Sequence, residues 1–234
     1  MKKLFRGRLW SRLFYGRAYG GPAVEIAGLR FPSPIGLGIP AEECRFMSDS
    51  RAGYLLFKAG ENAPRKLLNA FPGRSQDVLL SLELSSDIVR SFSLCYDFVD
   101  FIVVNPDNLT GMEAPDIPDV KSLLDEVLNL RLCYEMYTPV FVRLSPRRTP
   151  DEMDEMLHFC LLNGVDGLFV NSVKQLHAVQ DMIGNRLPLV LTTDSTNPSE
   201  IVSMYREGAS LVECNVRPHV LKKIHKLLEQ SEIQ

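Results

Sequence analysis

Eight short apolar runs, each closed by a few polar residues and followed by a stretch with helical spacing, constrain this chain more than any other feature. They occupy residues 35–39, 54–59, 78–84, 101–105, 139–145, 167–171, 187–193 and 210–215. Parallel strands covered by helices lose the apolar–polar alternation of a half-wet sheet, and these runs read that way. Strand followed by helix, eight times over, predicts an α/β fold: a (β/α)8 TIM barrel, with function expected where the carboxyl ends of the strands point. The 234 residues lie close to the roughly 250 typical of such a barrel. One barrel domain is therefore expected over residues 24–234.

Residues 1–23 read as a basic N-terminal arm. Lys2, Lys3, Arg6, Arg8, Arg12 and Arg17 alternate with Leu4, Phe5, Leu9, Trp10, Leu13 and Phe14, and no acid precedes Glu25. No apolar h-region follows the basic start, and no run approaches the roughly 20 apolar residues of a spanning helix. The cations suit weak contact with an anionic membrane surface, but they do not segregate from the apolar residues on a helical wheel, which favours an arm packed on the barrel. Val24–Ile26 and Leu29–Phe31 around Gly28 then predict a small β-hairpin that plugs the barrel floor.

Helix signals are firm in the second half. Thr149-Pro150-Asp151-Glu152 is a capping box with proline at the first helical position, Met153, Met156, Leu157, Cys160 and Leu161 form a buried stripe, and Gly164 closes the helix. Asn197-Pro198-Ser199-Glu200 repeats the device ahead of Ile201, Met204 and Gly208. Val120, Leu123, Leu124, Val127 and Leu128 give another helix its apolar face. Residues 63–76 contain a less regular candidate helix.

Twenty-six basic against 29 acidic residues leave no clustered cationic surface for nucleic acid, which is excluded as the main partner. Cys44, Cys95, Cys133, Cys160 and Cys214 are odd in number and never paired as Cys-x-x-Cys, so they predict buried thiols in a reducing cytoplasm rather than disulfides or a zinc site. His158, His177, His219 and His225 have no metal-ligand spacing and read as surface or capping residues.

The residues at the strand ends carry a resemblance. Phe31-Pro32-Ser33-Pro34-Ile35-Gly36-Leu37-Gly38, the loop Asn105 with Asn108-Leu109-Thr110-Gly111, Pro139-Val140-Phe141-Val142-Arg143-Leu144-Ser145-Pro146, Gly164-Val165-Asp166-Gly167 with Asn171-Ser172, and Gly208-Ala209-Ser210-Leu211-Val212 follow one another in the order found in dihydroorotate dehydrogenase. The chain resembles the class 2 branch of that family. The resemblance implies flavin mononucleotide (FMN) at the barrel mouth, oxidation of dihydroorotate to orotate in pyrimidine biosynthesis, and a quinone as electron acceptor. It implies cofactor contacts at Gly38, Ile39, Asn105, Arg143, Asn171, Thr193, Asp194 and Asn215, and substrate contacts at Glu43, Asn108 and Ser172.

Several of those positions depart from the family pattern. The proton-abstracting Ser or Cys has no counterpart in a loop two residues shorter; Asp107 is the acid left to serve as base, against the plainer reading of Asn-Pro-Asp-Asn as turn chemistry. The lysine after the first strand falls on Glu43, Glu61 stands at a Thr or Ser position, and Glu83 lies near an Asn position. The phosphate-gripping Gly-Gly becomes Thr193-Asp194, and Glu213 replaces a Gln. Arg143 alone keeps the sign of the lysine it replaces, with a planar fork for a point charge. Like unit charges about 4 Å apart repel by about 4 kcal/mol at an effective dielectric near 20, so these acids oppose a dianionic phosphate. The loop 195–197, whose following helix offers free amides, and Arg217 with His219 are the elements for a rearranged phosphate seat.

The expectation is a dihydroorotate dehydrogenase-like protein, cytoplasmic or peripheral to a membrane, in which the reaction is reduced or lost. A small-molecule substrate is its partner if it is active, and homo-oligomers are compatible with the sequence. Two alternatives stand beside it: a non-catalytic barrel acting as a binding or regulatory partner, and a barrel enzyme holding Mg²⁺ or Mn²⁺ on Glu43, Glu61, Glu83, Asp107, Asp194 and Glu213. Without a spacing motif, solvated loop acids are the simpler account of that last set.

Overall fold

The computed structural model describes residues 21–39, 51–58, 78–84, 87–107 and 115–232. The hairpin β1 (Val24–Ile26) and β2 (Leu29–Phe31) pairs antiparallel with Ile26 opposite Leu29. Ala27 and Gly28 both take positive φ, +51° and +76°, which is the two-residue turn whose twist suits a hairpin. The barrel strands are β3 (Ile35–Gly38), β4 (Tyr54–Lys58), β5 (Leu79–Glu83), β6 (Phe101–Val104), β7 (Val140–Arg143), β8 (Gly167–Val170), β9 (Leu189–Thr193) and β10 (Leu211–Cys214). Each pairs in parallel with the next, and β10 pairs with β3 to close the ring. All eight apolar runs therefore form strands, shortened by a residue or two at one end or both.

Helices among the described residues are α1 (Ile88–Cys95), α2 (Ile117–Leu132), α3 (Pro150–Leu162), α4 (Val173–Ile183), α5 (Pro198–Arg206) and α6 (Pro218–Glu232). The capping box at α3 is complete, with the Thr149 side chain accepting from Glu152 N–H and the Glu152 carboxylate accepting from Thr149 N–H. Gly164 follows with φ +76°. None of the described helices is long and apolar enough to cross a membrane. Residues 1–20, the candidate helix at 63–76 and Cys44 lie outside the described residues.

Two apolar cores follow from strand parity. Outward-facing Leu37, Leu55, Leu82, Val142, Val170 and Val212 pack with the helices. Inward-facing Tyr54, Leu56, Phe101, Phe141, Phe169, Val190 and Leu211 fill the lower barrel, with Ile26 and Phe31 of the hairpin packed among them as the floor. Edge-on aromatic contacts run Phe31–Tyr54 at 5.9 Å, Tyr54–Phe101 at 5.2 Å and Phe141–Phe169 at 6.0 Å between centroids. The rings fit because facing positions carry no side chain: a Cβ on Gly36 would lie 2.1 Å from the Tyr54 ring, and one on Gly167 2.2 Å from that of Phe141.

Two sequence expectations need correction. Cys95, Cys160 and Cys214 are buried, but Cys133 is exposed, because it follows the last residue of α2 in a surface turn. His225 is not a surface residue. It is only 3% exposed, on the face of α6 that also buries Leu221, Ile224 and Leu228.

The His225 ring reaches Ser33, with Nε2 3.4 Å from Oγ. Ser33 Oγ already accepts from Ile35 N–H, so its proton is available to a neutral imidazole. Burial, and secondarily the charge of Arg51, lower the His225 pKa from 6.5 to about 4. Below pH 6.5 the unfolded chain takes up a proton that the native state refuses until pH 4. Stability is thus held above pH 6.5 and lost as pH falls toward 4, by about 3 kcal/mol in all at about 1.36 kcal/mol per unit. Chemical denaturation at pH 7.5 and pH 4.5 should show this loss, and His225→Gln should remove most of it. An unchanged difference between the two pH values in the variant would refute the assignment.

Candidate functional site at the barrel mouth

The same inward parity that buries Phe101, Phe141, Val190 and Leu211 places Glu83, Arg143, Thr192 and Glu213 one layer higher, at the carboxyl end of the barrel. Here the interior turns polar. Arg143 stands at the centre, with Nε 3.4 Å from Glu83 Oε2, Nη2 donating to Glu213 Oε1 at 3.1 Å, and Nη1 donating to Thr192 Oγ1 at 2.7 Å. Its Cζ lies 4.7 Å from the Phe169 ring centroid. Asn105 Nδ2 donates to Glu83 Oε1 at 3.3 Å, and Tyr54 OH to Glu213 Oε2 at 3.5 Å.

Glu83 and Glu213 are 2% and 6% exposed. Both had the reading of solvated loop acids; they are buried instead, because each falls on the inward face of its strand. Burial raises the Glu213 pKa, with Arg143 pulling the other way. Burial and the Glu213 carboxylate raise that of Tyr54. For Arg143, burial acts against the charge, but Glu213 and Glu83 outweigh it and the pKa moves up. Arg143 is therefore a fixed cation whose three kinds of nitrogen all face protein partners. A guanidinium held between two carboxylates and stacked on an aromatic ring is a rigid brace rather than a group waiting for an anion.

The remaining candidates lie around this layer. Glu213 crosses over Gly38, where an added Cβ would meet Oε1 at 3.5 Å. Ile39 is buried in the outer core, its N–H donating to Leu56 O. Asn171 is held by local contacts, its Nδ2 donating to Leu144 O and its N–H to Gln175 Oε1. Ser172 caps α4. Thr193 Oγ1 accepts from Ser195 N–H. Thr193 pairs with Cys214, which sets the exposed residues Asp194 and Asn215 side by side at the rim.

The start of α5 already holds a negative group. Glu200 accepts from Ser195 Oγ at 2.7 Å and from Asn197 Nδ2 at 3.0 Å. Asp107 lies in a crevice with Arg143, Ser145 and Arg148 whose free volume is about 10 Å³, and its buried Oδ1 has no hydrogen-bond partner among the described residues. That space holds about one water molecule. Glu43, Glu61 and Asn108 lie outside the described residues. Of the proposed metal-binding acids, Glu83 and Glu213 converge on a guanidinium, and no group of three or more His, Cys, Asp or Glu among the described residues is placed to hold a metal ion.

Tyr54 and Thr192 belong to the polar layer and were missed by sequence reasoning. The available signal was parity. Thr192 is two residues beyond inward Val190, just as Glu213 is two beyond Leu211.

No family model matches this chain. An alignment 124 positions long, covering 47% of the chain, is 30% identical to the quinone-dependent dihydroorotate dehydrogenase of Aeromonas hydrophila. The chain spans about a third of that relative's length, 35%. In fold it is similar to dihydroorotate dehydrogenase from Eimeria tenella. The structure with ferulenol bound superposes with a TM-score of 0.75 at 14% identity, covering 98% of this chain and 91% of that one. The ligand-free structure gives 0.76 at 13% identity, covering 98% and 95%.

Proposed function

We propose that this chain, a dihydroorotate dehydrogenase-like barrel in sequence and fold, has lost the family's oxidation in whole or large part and serves as a binding or regulatory protein. The observation that supports this is the engagement of Arg143. In the family resemblance its position is the cationic contact to the flavin; here its nitrogens are occupied by Glu83, Glu213 and Thr192.

FMN needs polar partners for its ring system and a phosphate seat of open amides and cations. The described residues do not fit it in the family manner. Asn105 is turned to Glu83, Glu213 lies across Gly38, and the start of α5 carries Glu200 on the side chains that a phosphate would need. Asp194 adds a second carboxylate beside Asn215. The chemistry that FMN supplies to the family, acceptance of hydride, has no seat built from these groups.

The test is direct. Purified protein, reconstituted with excess FMN and desalted, is expected to lack the visible absorbance of bound oxidised flavin, and isothermal titration with FMN is expected to give no saturable heat. A flavin-loaded preparation that reduces a quinone analogue with dihydroorotate would refute the proposal.

A further inference from the structure

The outside of the barrel carries opposite charges on opposite sides. α6 crosses the seam between β10 and β3, where His225 meets Ser33, and it buries Leu221, Ile224 and Leu228. Helical spacing turns Lys222, Lys223 and Lys226 to the other face. All three are exposed, and none makes an ion pair among the described residues. Arg217 and His219 stand exposed at the start of the helix and the acid Glu229 near its end. The chain arrives at Gly21 beside Leu228. The twenty residues before it hold six cations and no acid, so the segment entering there brings nothing to neutralise the stripe. Half a turn away round the ring, α2 joins β6 to β7 and lies beside α3. Lys121 Nζ meets Glu155 Oε1 at 2.6 Å across those two helices. Around that bridge Asp125, Glu126, Asp151 and Asp154 are exposed, with no cation paired to them among the described residues.

We propose that these two faces join copies of the chain head to tail, with the α6 lysines of one copy seated on the α2–α3 acids of the next. Charge selects this occupant, because the same molecule carries both the unpaired cations and the unpaired acids that complement them. Two α6 faces, or two acidic faces, would set like charges against one another, which disfavours a symmetric pair. The faces lie half a turn apart, so each added copy leaves one of each kind free. The contact therefore generates a growing file rather than a closed dimer. A net charge of −3 puts little general repulsion in its way. Exposed ion pairs each contribute little, so the association is weak, concentration-dependent and sensitive to salt. The proposal does not depend on the reading of the mouth, since neither face includes a residue of the polar layer.

The experiment is sedimentation velocity of the full chain over a range of concentrations, at about 10 mM and about 300 mM salt, between which the screening length falls from roughly 30 Å to under 10 Å. At low salt the mean sedimentation coefficient should climb with concentration past that of a dimer, and at high salt it should return to the monomer value. Two charge-reversed variants, Lys222→Glu/Lys223→Glu/Lys226→Glu and Asp125→Lys/Glu126→Lys/Asp154→Lys, each checked for folding by circular dichroism, should associate at least about tenfold more weakly than the parent. Mixed in equal amounts they should associate again, because the reversed α6 of one meets the reversed α2–α3 face of the other. A parent chain that stays monomeric at low salt, an association that salt does not weaken, reversed variants that associate like the parent, or a mixture that stays monomeric would each overturn the proposal. Capture of the parent on anionic lipid vesicles without self-association, lost in the lysine variant, would assign the stripe to a membrane instead and overturn it too.

Discussion

Arg143→Met will lower the stability of the fold by about 3–5 kcal/mol, the cost of leaving buried carboxylates without their cation. The substitution keeps most of the side-chain volume and the contact with Phe169, so the loss is electrostatic rather than a cavity effect. What remains is Glu83 and Glu213, each under a tenth exposed, facing a thioether. Denaturant midpoints measure the loss, and two further observations identify its cause. Glu83→Gln with Glu213→Gln in the same chain should restore at least half of the deficit, since an apolar or neutral replacement of a buried ionic triad is close to neutral. The deficit should also shrink toward pH 4.5, where the orphaned Glu213 carboxylate, whose pKa burial raises, takes up a proton. A deficit that persists in the triple variant, or does not change with pH, would mean that Arg143 is not the counter-ion of this layer.

Gly53→Ala will cost about 3 kcal/mol or more and is expected to lower the thermal midpoint well below that of the parent chain. Gly53 lies just before β4, where its N–H donates to Ile35 O at 2.7 Å and its carbonyl accepts from Leu79 N–H. A Cβ there would sit 2.0 Å from the carbonyl oxygen of Ser33. The clashing atom is backbone just ahead of β3, and Gly53 is already bonded to Ile35 of that strand, so it cannot yield without moving β3 against β4. The backbone of Gly53 is not in the left-handed region, which makes the cost steric. Gly184→Ala is the matching control. Gly184 has φ +60° and ψ −140° with open space around it, so its substitution carries backbone strain of about 1–3 kcal/mol and no clash. Equal thermal midpoints for the two variants would refute the close-approach argument.

Much of the fold was legible because parallel barrel strands are buried on both sides. The runs at 167–171 and 187–193 are apolar almost throughout, and Thr149 with Glu152 announces a helix start through its own hydrogen-bond chemistry. The candidate site was legible in part. Comparison with a family identifies a residue type at an aligned position, such as Glu213 for Gln, but not its depth. Depth comes from parity, which turns Glu83, Arg143 and Glu213 inward and leaves Asp194 and Asn215, one step past the strand ends, at the rim. His225 shows the same lesson on a helix. Its spacing from Leu221, Ile224 and Leu228 is that of a core stripe, and the general rule for lone histidines obscured it. Cys133 errs in the other direction, since thiols favour interiors but this one lies beyond its helix.

The seam where Val212, Glu213 and Cys214 meet Ile35, Gly36 and Leu37 joins the first and last staves of the cylinder. During synthesis the growing sheet keeps two bare margins, on β3 and on whichever stave emerged most recently, until the last one leaves the ribosome. Sealing waits on a contact separated by more than 170 residues along the chain, a slow event for a polymer. The nascent barrel thus carries unpaired edges open to misassociation until its final stave is in place.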